Sequence, residues 1–265
     1  MILFVFEGTE REPTLFRTLE YLFFPKGNRN IICSFGNNIY NLYKRINGKD
    51  GFSEDLVSVL RQDARNKHDN PLKEFSKTSD FSEVFLFFDY DCHNQNKTNT
   101  LSFADLNRQL KELLSFFDDE TDNGKLYINY PMVESIRYTK QLPDSDYFSY
   151  TMPVAESCDF KTKANEFSFY KNFDFIEFRS GQKSKELKIP VKERIAEIRN
   201  NWNLLKVQNV QKANLICTGN KDMPVSKDAV AQQEIFVSQL KKYVNANNTV
   251  AVPNAFPLFL YEYFT

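Results

Sequence analysis

The sequence predicts an α/β fold in which a mainly parallel sheet is flanked by helices and followed by a helix-rich C-terminal extension. Two uninterrupted apolar runs, at residues 2–6 and 84–88, are rich in Phe, Val and Leu, and each is followed by acidic residues. Such runs are typical of strands that are covered on both faces, as in a parallel sheet. Strand-like and helical segments alternate between them, which is the pattern of doubly wound α/β proteins.

The elements of the first half follow in order from local periodicity. After the first strand, Leu15, Leu19 and Leu22 recur at helical spacing within residues 12–24, and Pro13 suits the first helical turn. The sequence then predicts, in order, a strand at 30–35, a helix at 38–46, a helix at 53–63 with Ser53 as its N-cap, a loop or loosely packed helix at 64–82, the central strand at 83–88, a helix at 103–117 and a strand at 125–129.

The second half carries weaker local signals. The pattern loosens at residues 141–188, where proline and glycine interrupt mixed aromatic and charged sequence. The later elements are predicted as helices at 191–207 and 226–244, a short strand at 249–252 and a last apolar segment at 255–264 whose aromatic residues form core or an interface. We therefore expect one domain at residues 1–140 and an extension at residues 141–265 that serves substrate choice or assembly.

The composition indicates a packed globular protein without a bulk electrostatic preference for nucleic acid. The 265 residues are 15% aromatic and the formal net charge is −1, so any basic binding surface must be local. No apolar stretch reaches the roughly 18 residues that a membrane span needs, and the apolar N-terminus lacks the basic residues of a signal peptide. The four cysteines form no CxxC pair, which favours reduced thiols and a cytoplasmic location.

Three acidic residues follow the two apolar runs. Glu7 ends the first run, and Asp89 and Asp91 end the second. Ligands of open parallel sheets collect at the carboxyl ends of the strands, so we expect these carboxylates to lie close together. They would repel one another unless a cation or raised pKa values compensated, and a hard divalent cation is the simplest solution. The alternative is that the acids only end the strands and cap the segments that follow.

A family resemblance rests on these acids and their neighbours. The pattern EG-x-x-x-EP-x-x-F, followed by a strand that ends in DxD, resembles a TOPRIM domain and is most similar to the RloB-like and OLD-like groups, which belong to bacterial anti-phage defence. The matching residues, all within residues 1–140, are Glu7, Gly8, Glu12, Pro13, Phe16, Asp89 and Asp91. The resemblance implies a small TOPRIM-like catalytic domain with a mainly parallel sheet, in which Mg²⁺, or Mn²⁺ in its place, supports phosphodiester chemistry.

The resemblance also implies roles for individual residues. It assigns catalysis and metal binding to Glu7, Asp89 and Asp91. Residues 130–134, YPMVE, resemble the NP-x-FE segment of RloB-like proteins, which makes Glu134 a further candidate ligand, although Tyr130 and Val133 depart from that pattern. Glu12 matches the RloB-like spacing, and it either joins the metal site or favours the N-terminus of the helix that follows.

Other side chains are candidates for contacts to substrate. His93 is expected to act as a general acid, a ligand or a phosphate contact near the metal, or to be an exposed loop residue without chemistry. The predicted nucleic-acid contacts are Arg11, Lys183, Lys185 and Lys188. The three lysines follow the aromatic run at residues 173–178, and basic groups beside aromatic rings can bind the backbone and stack bases. Interleaved acids dilute this charge, and the aromatic residues alternate as they would in a strand.

The predicted function is a Mg²⁺-dependent endonuclease that cleaves DNA or RNA, tRNA included, as the effector of an anti-phage system. The implied partners are nucleic acid and, because the chain has no GxxxxGK[ST] phosphate loop, a separate ATPase. Assembly with further copies of the chain stays open. The alternative function is that of a non-catalytic TOPRIM-like subunit, which binds nucleic acid or a partner as a sensor or assembly module.

Overall fold

The computed structural model describes residues 1–49, 51–62, 70–92, 101–179 and 187–264. Its strands are β1 (Ile2–Phe6), β2 (Asn30–Ser34), β3 (Asn47–Gly48), β4 (Gly51–Phe52), β5 (Glu83–Asp89), β6 (Asp118–Asp119), β7 (Gly124–Asn129), β8 (Thr151–Pro153) and β9 (Thr249–Ala251). Its α-helices are α1 (Arg11–Phe23), α2 (Ile39–Ile46), α3 (Leu56–Gln62), α4 (Phe103–Phe116), α5 (Phe160–Phe167), α6 (Lys192–Thr218), α7 (Gln232–Gln239), α8 (Asn245–Asn247) and α9 (Ala255–Phe264).

A five-stranded sheet in the order β2-β1-β5-β7-β6 confirms the predicted fold class. Strand β1 pairs in parallel with both of its neighbours, so that Phe6 lies opposite Ser34 on one side and Phe87 on the other. Strand β6 pairs antiparallel to β7 at one edge. None of the helices in the described ranges combines the length and the hydrophobicity that crossing a bilayer requires.

The chain forms two compact units that alternate along the sequence. The first unit comprises Met1–Pro13, Phe24–Asp89 and Gln95–Tyr127, and the second comprises Thr14–Phe23, Tyr90–Asn94 and Ile128–Thr265. The predicted domain boundary at residue 140 lies within the second unit. The predicted division into a catalytic domain and an extension stays a prediction.

Aromatic side chains fill the core of the first unit. The ring of Phe4 stacks on that of Phe85 with centroids 5.4 Å apart, and Phe87 stacks on Tyr127 at the same separation. Every residue of β1 is buried, which explains why its sequence shows no polar alternation. Burial stabilises the fold by about 1.5–3 kcal/mol for each such apolar side chain.

Helix starts in the first unit follow side-chain capping. Asn38 caps α2 by accepting a hydrogen bond from the Asn41 backbone N–H at 3.0 Å, and Ser102 forms a capping box with Asp105 on α4. The prediction of Ser53 as an N-cap is wrong: α3 begins at Leu56, and Asp55 Oδ1 accepts the hydrogen bond from the Ser58 N–H at 2.9 Å. The second Asp55 oxygen accepts from the Thr78 N–H at 2.8 Å, a long-range contact that fixes the cap.

Between α3 and β5 the structure describes a short 3₁₀-helix at Thr78–Asp80. Residues 64–69 of the predicted loop, and residue 63 of the predicted helix before it, lie outside the described ranges. The mixed pattern predicted for residues 141–188 corresponds to short elements, among them β8, α5 and the 3₁₀-helices Tyr147–Ser149 and Val154–Asp159.

In the second unit, α6 is longer than the helix predicted at residues 191–207. It continues to Thr218 and ends at Gly219, whose φ of 89° is left-handed. The prediction stopped early because the next turns carry buried polar residues, including Gln208, Asn209 and Lys212. Their polarity interrupts the apolar periodicity, and each of them forms at least one hydrogen bond inside the unit.

The last helices of the second unit also differ from the predicted bounds. The helix predicted at 226–244 begins as a 3₁₀-helix at Lys227–Val230, becomes α7 and passes through a π-helical turn at Leu240–Val244 into α8. Helix α9 has the predicted bounds, and its residues Phe256 and Phe259 are fully buried. This confirms that Phe256 and Phe259 belong to the core, whereas Tyr263 and Phe264 are half-buried.

Lys212 is a buried amine at the centre of the second unit. Its Nζ donates hydrogen bonds to the carbonyl oxygens of Tyr147, at 2.8 Å, and Tyr150, and lies 4.7 Å from the centre of the Tyr147 ring. Burial lowers the pKa of Lys212 to about 7, and the Asp144 carboxylate opposes this shift. The amine therefore supplies donors to two carbonyl groups while its charged form is destabilised.

We expect Lys212→Met to remove a pH dependence of stability. The pKa of Lys212 falls from about 10.4 in the unfolded chain to about 7 in the folded chain. Between these pH values the unfolded state therefore binds more protons than the folded state, so the free energy of unfolding rises with pH across that window. The contribution of Lys212 to stability is lost as pH falls through 7. The slope is at most about 1.4 kcal/mol per pH unit.

Urea denaturation of both proteins at about pH 6, 7.5 and 9 measures this effect. The free energy of unfolding of the native chain minus that of Lys212→Met should increase from the lowest to the highest pH. A constant difference would show that Lys212 has an ordinary pKa in the folded protein.

Candidate functional site

Two of the predicted acids meet at the carboxyl ends of neighbouring parallel strands. The Glu7 N–H donates to the Phe87 carbonyl at 3.0 Å and so extends the pairing of β1 with β5 by one residue. Beyond that bond, Glu7 Oε2 accepts a hydrogen bond from the Asp89 backbone N–H at 3.1 Å. Both residues are half-buried. The structure thus places the Glu7 side chain against the backbone of Asp89. The predicted cluster of three carboxylates stays a prediction.

Glu12 holds the turn that follows Glu7. It is the second residue of α1, its exposure is 4%, and its Oε1 accepts a hydrogen bond from the Gly8 N–H at 3.1 Å. A Cβ on Gly8 would clash with Glu12 Oε2 and lie 2.9 Å from Oε1. The sequence left two roles open for Glu12, in the metal site or at the helix N-terminus. In the structure Glu12 lies at the N-terminus of α1 and accepts a hydrogen bond from the turn before it.

This contact explains the spacing of the EG-x-x-x-E pattern. Gly8 suits this position because the carboxylate of Glu12 occupies the space that a Cβ would fill. Sequence reasoning missed this contact, although a glycine four residues before an acid at a helix start is the signal that could have revealed it.

Arg11 is the first residue of α1 and is half-buried.

Asp91 and Glu134 belong to the second unit. Asp91 adopts a left-handed φ of 43°, which Asp tolerates better than most residues, and its N–H donates to the Pro131 carbonyl at 3.4 Å. Glu134 lies in the 3₁₀-helix Val133–Arg137 with an exposure of 7%, and its Oε1 is 3.7 Å from the Nζ of the exposed Lys161. Each carboxylate is thus fixed on a short, irregular segment.

The thiol next to Asp91 does not supply a thiolate. Cys92 is buried and its Sγ lies 3.0 Å from Ser157 Oγ, with which it forms a hydrogen bond. Burial raises the pKa of the Cys92 thiol to about 11, and the neighbouring Asp91 charge adds to that shift. A protonated, buried thiol is neither a metal ligand nor a nucleophile, so the candidate ligands of this region are carboxylates.

The fit to a metal ion follows from the pair Glu7 and Asp89. Among the described residues, no group of three or more His, Cys, Asp or Glu side chains is arranged to hold a metal ion. Mg²⁺ does not need such a group, because it keeps several waters and commonly binds through one or two carboxylates and the phosphates of its substrate. Two carboxylate-bearing residues at one sheet edge therefore fit Mg²⁺ as ligands.

The other predicted contacts are described only in part. His93, Lys183 and Lys185 lie outside the described ranges. Lys188 is exposed, and its backbone N–H donates to the Phe178 carbonyl at 3.2 Å, beside the bridge between Arg179 and Leu187.

The aromatic run at residues 173–178 forms turns and not the strand that its alternation suggested. Phe173, Phe175 and Phe178 are buried in the second unit. Their rings therefore contribute to the core and do not provide a surface on which bases could stack.

Comparisons with known proteins do not identify a family. No family model matches the chain, and no solved structure matches it. The chain is 26% identical over 158 residues to Protein TIC 214 of Lotus japonicus, an alignment that covers 58% of this chain and 8% of that protein. The chain thus spans only a small part of the length of this relative, and a similarity of that extent does not establish common membership of a family.

We expect Gly8→Ala to destabilise the protein through its clash with Glu12. The added methyl group displaces a nearly buried carboxylate that accepts the Gly8 N–H. Overpacking of this kind costs about 1–3 kcal/mol. Urea denaturation measures the loss in the free energy of unfolding.

A double-mutant cycle assigns the cause of this loss. In the Glu12→Ala background the carboxylate is absent, so Gly8→Ala should cost less, with a coupling energy of about 0.5–3 kcal/mol. Equal costs in both backgrounds would show that the Gly8 backbone, and not Glu12, rejects the methyl group.

Proposed function

We propose that the chain is a Mg²⁺-dependent nuclease that hydrolyses phosphodiester bonds of DNA or RNA at Glu7 and Asp89. The observation that supports this most directly is the 3.1 Å hydrogen bond from the Asp89 N–H to Glu7 Oε2. It sets two acidic residues side by side at the carboxyl ends of parallel strands, where open α/β sheets bind their ligands.

In this proposal, Glu7 and Asp89 hold the metal ion, and Asp91, two residues further along the chain, is a third candidate ligand. A bound Mg²⁺ would polarise the phosphodiester and lower the pKa of a water nucleophile, and Mn²⁺ accepts the same oxygen donors. The Asp89 N–H restrains one oxygen of Glu7. Glu12 acts as a positioning residue, because it fixes the turn after Glu7 through the Gly8 N–H.

The resemblance to RloB-like and OLD-like proteins extends the proposal to a biological role. It supports an effector of anti-phage defence that acts with a separate ATPase and cuts DNA or RNA, tRNA included. The alternative is a subunit that binds nucleic acid or a partner without cutting.

We expect metal-dependent cleavage to be lost in Glu7→Gln and in Asp89→Asn. Incubation of plasmid DNA, single-stranded DNA, total RNA and tRNA with Mg²⁺, Mn²⁺ or chelator measures this activity. Each variant keeps the size of its side chain and removes its charge, so the rate should fall by more than roughly 100-fold. Glu74→Gln and Asp122→Asn are matched controls, since both acids are exposed residues of the first unit outside the site.

Cleavage that persists in chelator or in Asp89→Asn would contradict the proposed site. Thermal unfolding with and without Mg²⁺ gives a second readout that does not depend on cutting. Binding should raise the melting temperature of the native chain but not that of Glu7→Gln. If Mg²⁺ stabilises the native chain and no substrate is cut, the binding subunit becomes the better description.

A further inference from the structure

The long helix α6 presents an exposed, positively charged face. The residues of this face recur at three-, four- and seven-residue spacing, which places them on one side of a helix. We define the α6 cationic face as Lys192, Ala196, Arg199, Asn200, Asn203 and Lys206. All are exposed except Lys206, which is half-buried. Together with Ile195, the first five line a depression of about 420 Å³.

The cations of this face form a regular row. Lys192, Arg199 and Lys206 are seven residues apart, which corresponds to about 10.5 Å between neighbours and about 21 Å in all along the helix axis. The six positions, all within the described ranges, include no acid. The local charge is thus positive although the whole chain is nearly neutral, as a local basic surface requires.

The acids of the same helical turns do not neutralise this row. Glu193 and Glu197 lie about 100° and 140° around the helix from Lys192. Glu197 forms an ion pair with Arg194 at 2.7 Å, and Arg194 also donates to the Asp174 carbonyl. Glu197 is therefore paired with a cation outside the face.

Packing holds the central cation of the face. The guanidinium carbon of Arg199 lies 5.2 Å from the centre of the Phe23 ring, in a cation–π contact within the second unit. This contact restrains the side chain without cancelling its charge. Besides the two cations, the depression is lined by Ile195, by the small residue Ala196 and by the amides Asn200 and Asn203, which can donate to phosphate oxygens.

We infer that the α6 cationic face binds the phosphate backbone of nucleic acid. A strand of B-form geometry presents a phosphate about every 3.4 Å along its axis, so a row of 21 Å spans roughly six of them. Ile195 in the depression and the exposed Val207 are large apolar side chains on this side of α6, so the choice of phosphate as the ligand rests on the row of cations and on the amides beside it. No residue of the face is aromatic, so binding here does not depend on base stacking or base sequence.

This inference rests on the proposed function only in taking nucleic acid as the ligand. The test uses the full chain in chelator, where metal-dependent cutting cannot occur, and measures binding to single-stranded DNA, single-stranded RNA and duplex DNA of several sequences. The test variant is Lys192→Gln/Arg199→Gln/Lys206→Gln, in which Gln preserves helix propensity. The control is Lys163→Gln/Lys221→Gln/Lys241→Gln, three lysines of the same unit with the same change of charge, of which two are exposed and one is half-buried, as in the test variant.

We expect the test variant to bind at least roughly tenfold more weakly than the control at about 0.1 M salt. Its plot of log binding constant against log salt should be shallower by about 2.7 for duplex DNA, or about 2.1 for single strands, because three phosphate contacts are lost. Circular dichroism checks that both variants keep their helix content. Equal losses in test and control variants, or no binding by the native chain, would overturn the inference.

The two proposals fail separately. Binding that depends on the face, without cleavage by the native chain in Mg²⁺, would reject the nuclease and keep the surface. If cleavage is lost in Glu7→Gln and Asp89→Asn, and the test variant binds nucleic acid as tightly as the native chain, the nuclease is kept and the surface is rejected.

Discussion

The parallel pairing of β1 with β5 is the constraint on which the candidate site depends. The register places Phe6 opposite Phe87, and the stacked rings of Phe4 and Phe85 fill the core beside this pair. Because the interior of both strands is buried, the strands can carry polar side chains only where they end. Glu7 and Asp89 therefore reach the same edge of the sheet as a consequence of hydrophobic burial.

The connection after β1 turns this placement into a defined geometry. The Gly36 N–H donates to the Glu7 carbonyl at 2.8 Å, and the Asp89 N–H donates to the Glu7 side chain. Glu12 then bonds to the Gly8 N–H at the start of α1. The backbone on both sides of Glu7 is thus satisfied by hydrogen bonds, which limits the conformations of the acid before any ligand arrives.

Buried amides organise the second unit in a different way. Asn209 Oδ1 accepts hydrogen bonds from the Tyr147 hydroxyl and the Asn254 N–H, both at 2.8 Å. The side chain of Gln239 pairs with both the N–H and the carbonyl of Ala251. These contacts join helices α6 and α7 to segments far away in sequence, and they let polar residues occupy a core. The opposite side of α6 stays exposed and carries its cationic face.

The sequence by itself determined the features that depend on local pattern. Apolar runs identified β1 and β5, helical spacing identified α1, α2 and α4, and the ends of the runs placed Glu7 and Asp89 at one edge of the sheet, because hydrophobic periodicity is a property of neighbouring residues.

Only the tertiary structure decided the features that need a distant partner. The cap on α3 moved from Ser53 to Asp55, whose second oxygen bonds to Thr78. Helix α6 extended past residue 207 because Asn209 and Lys212 find partners near residue 147. Whether a polar residue lies on the surface or in the core depends on hydrogen bonds that only the folded chain supplies.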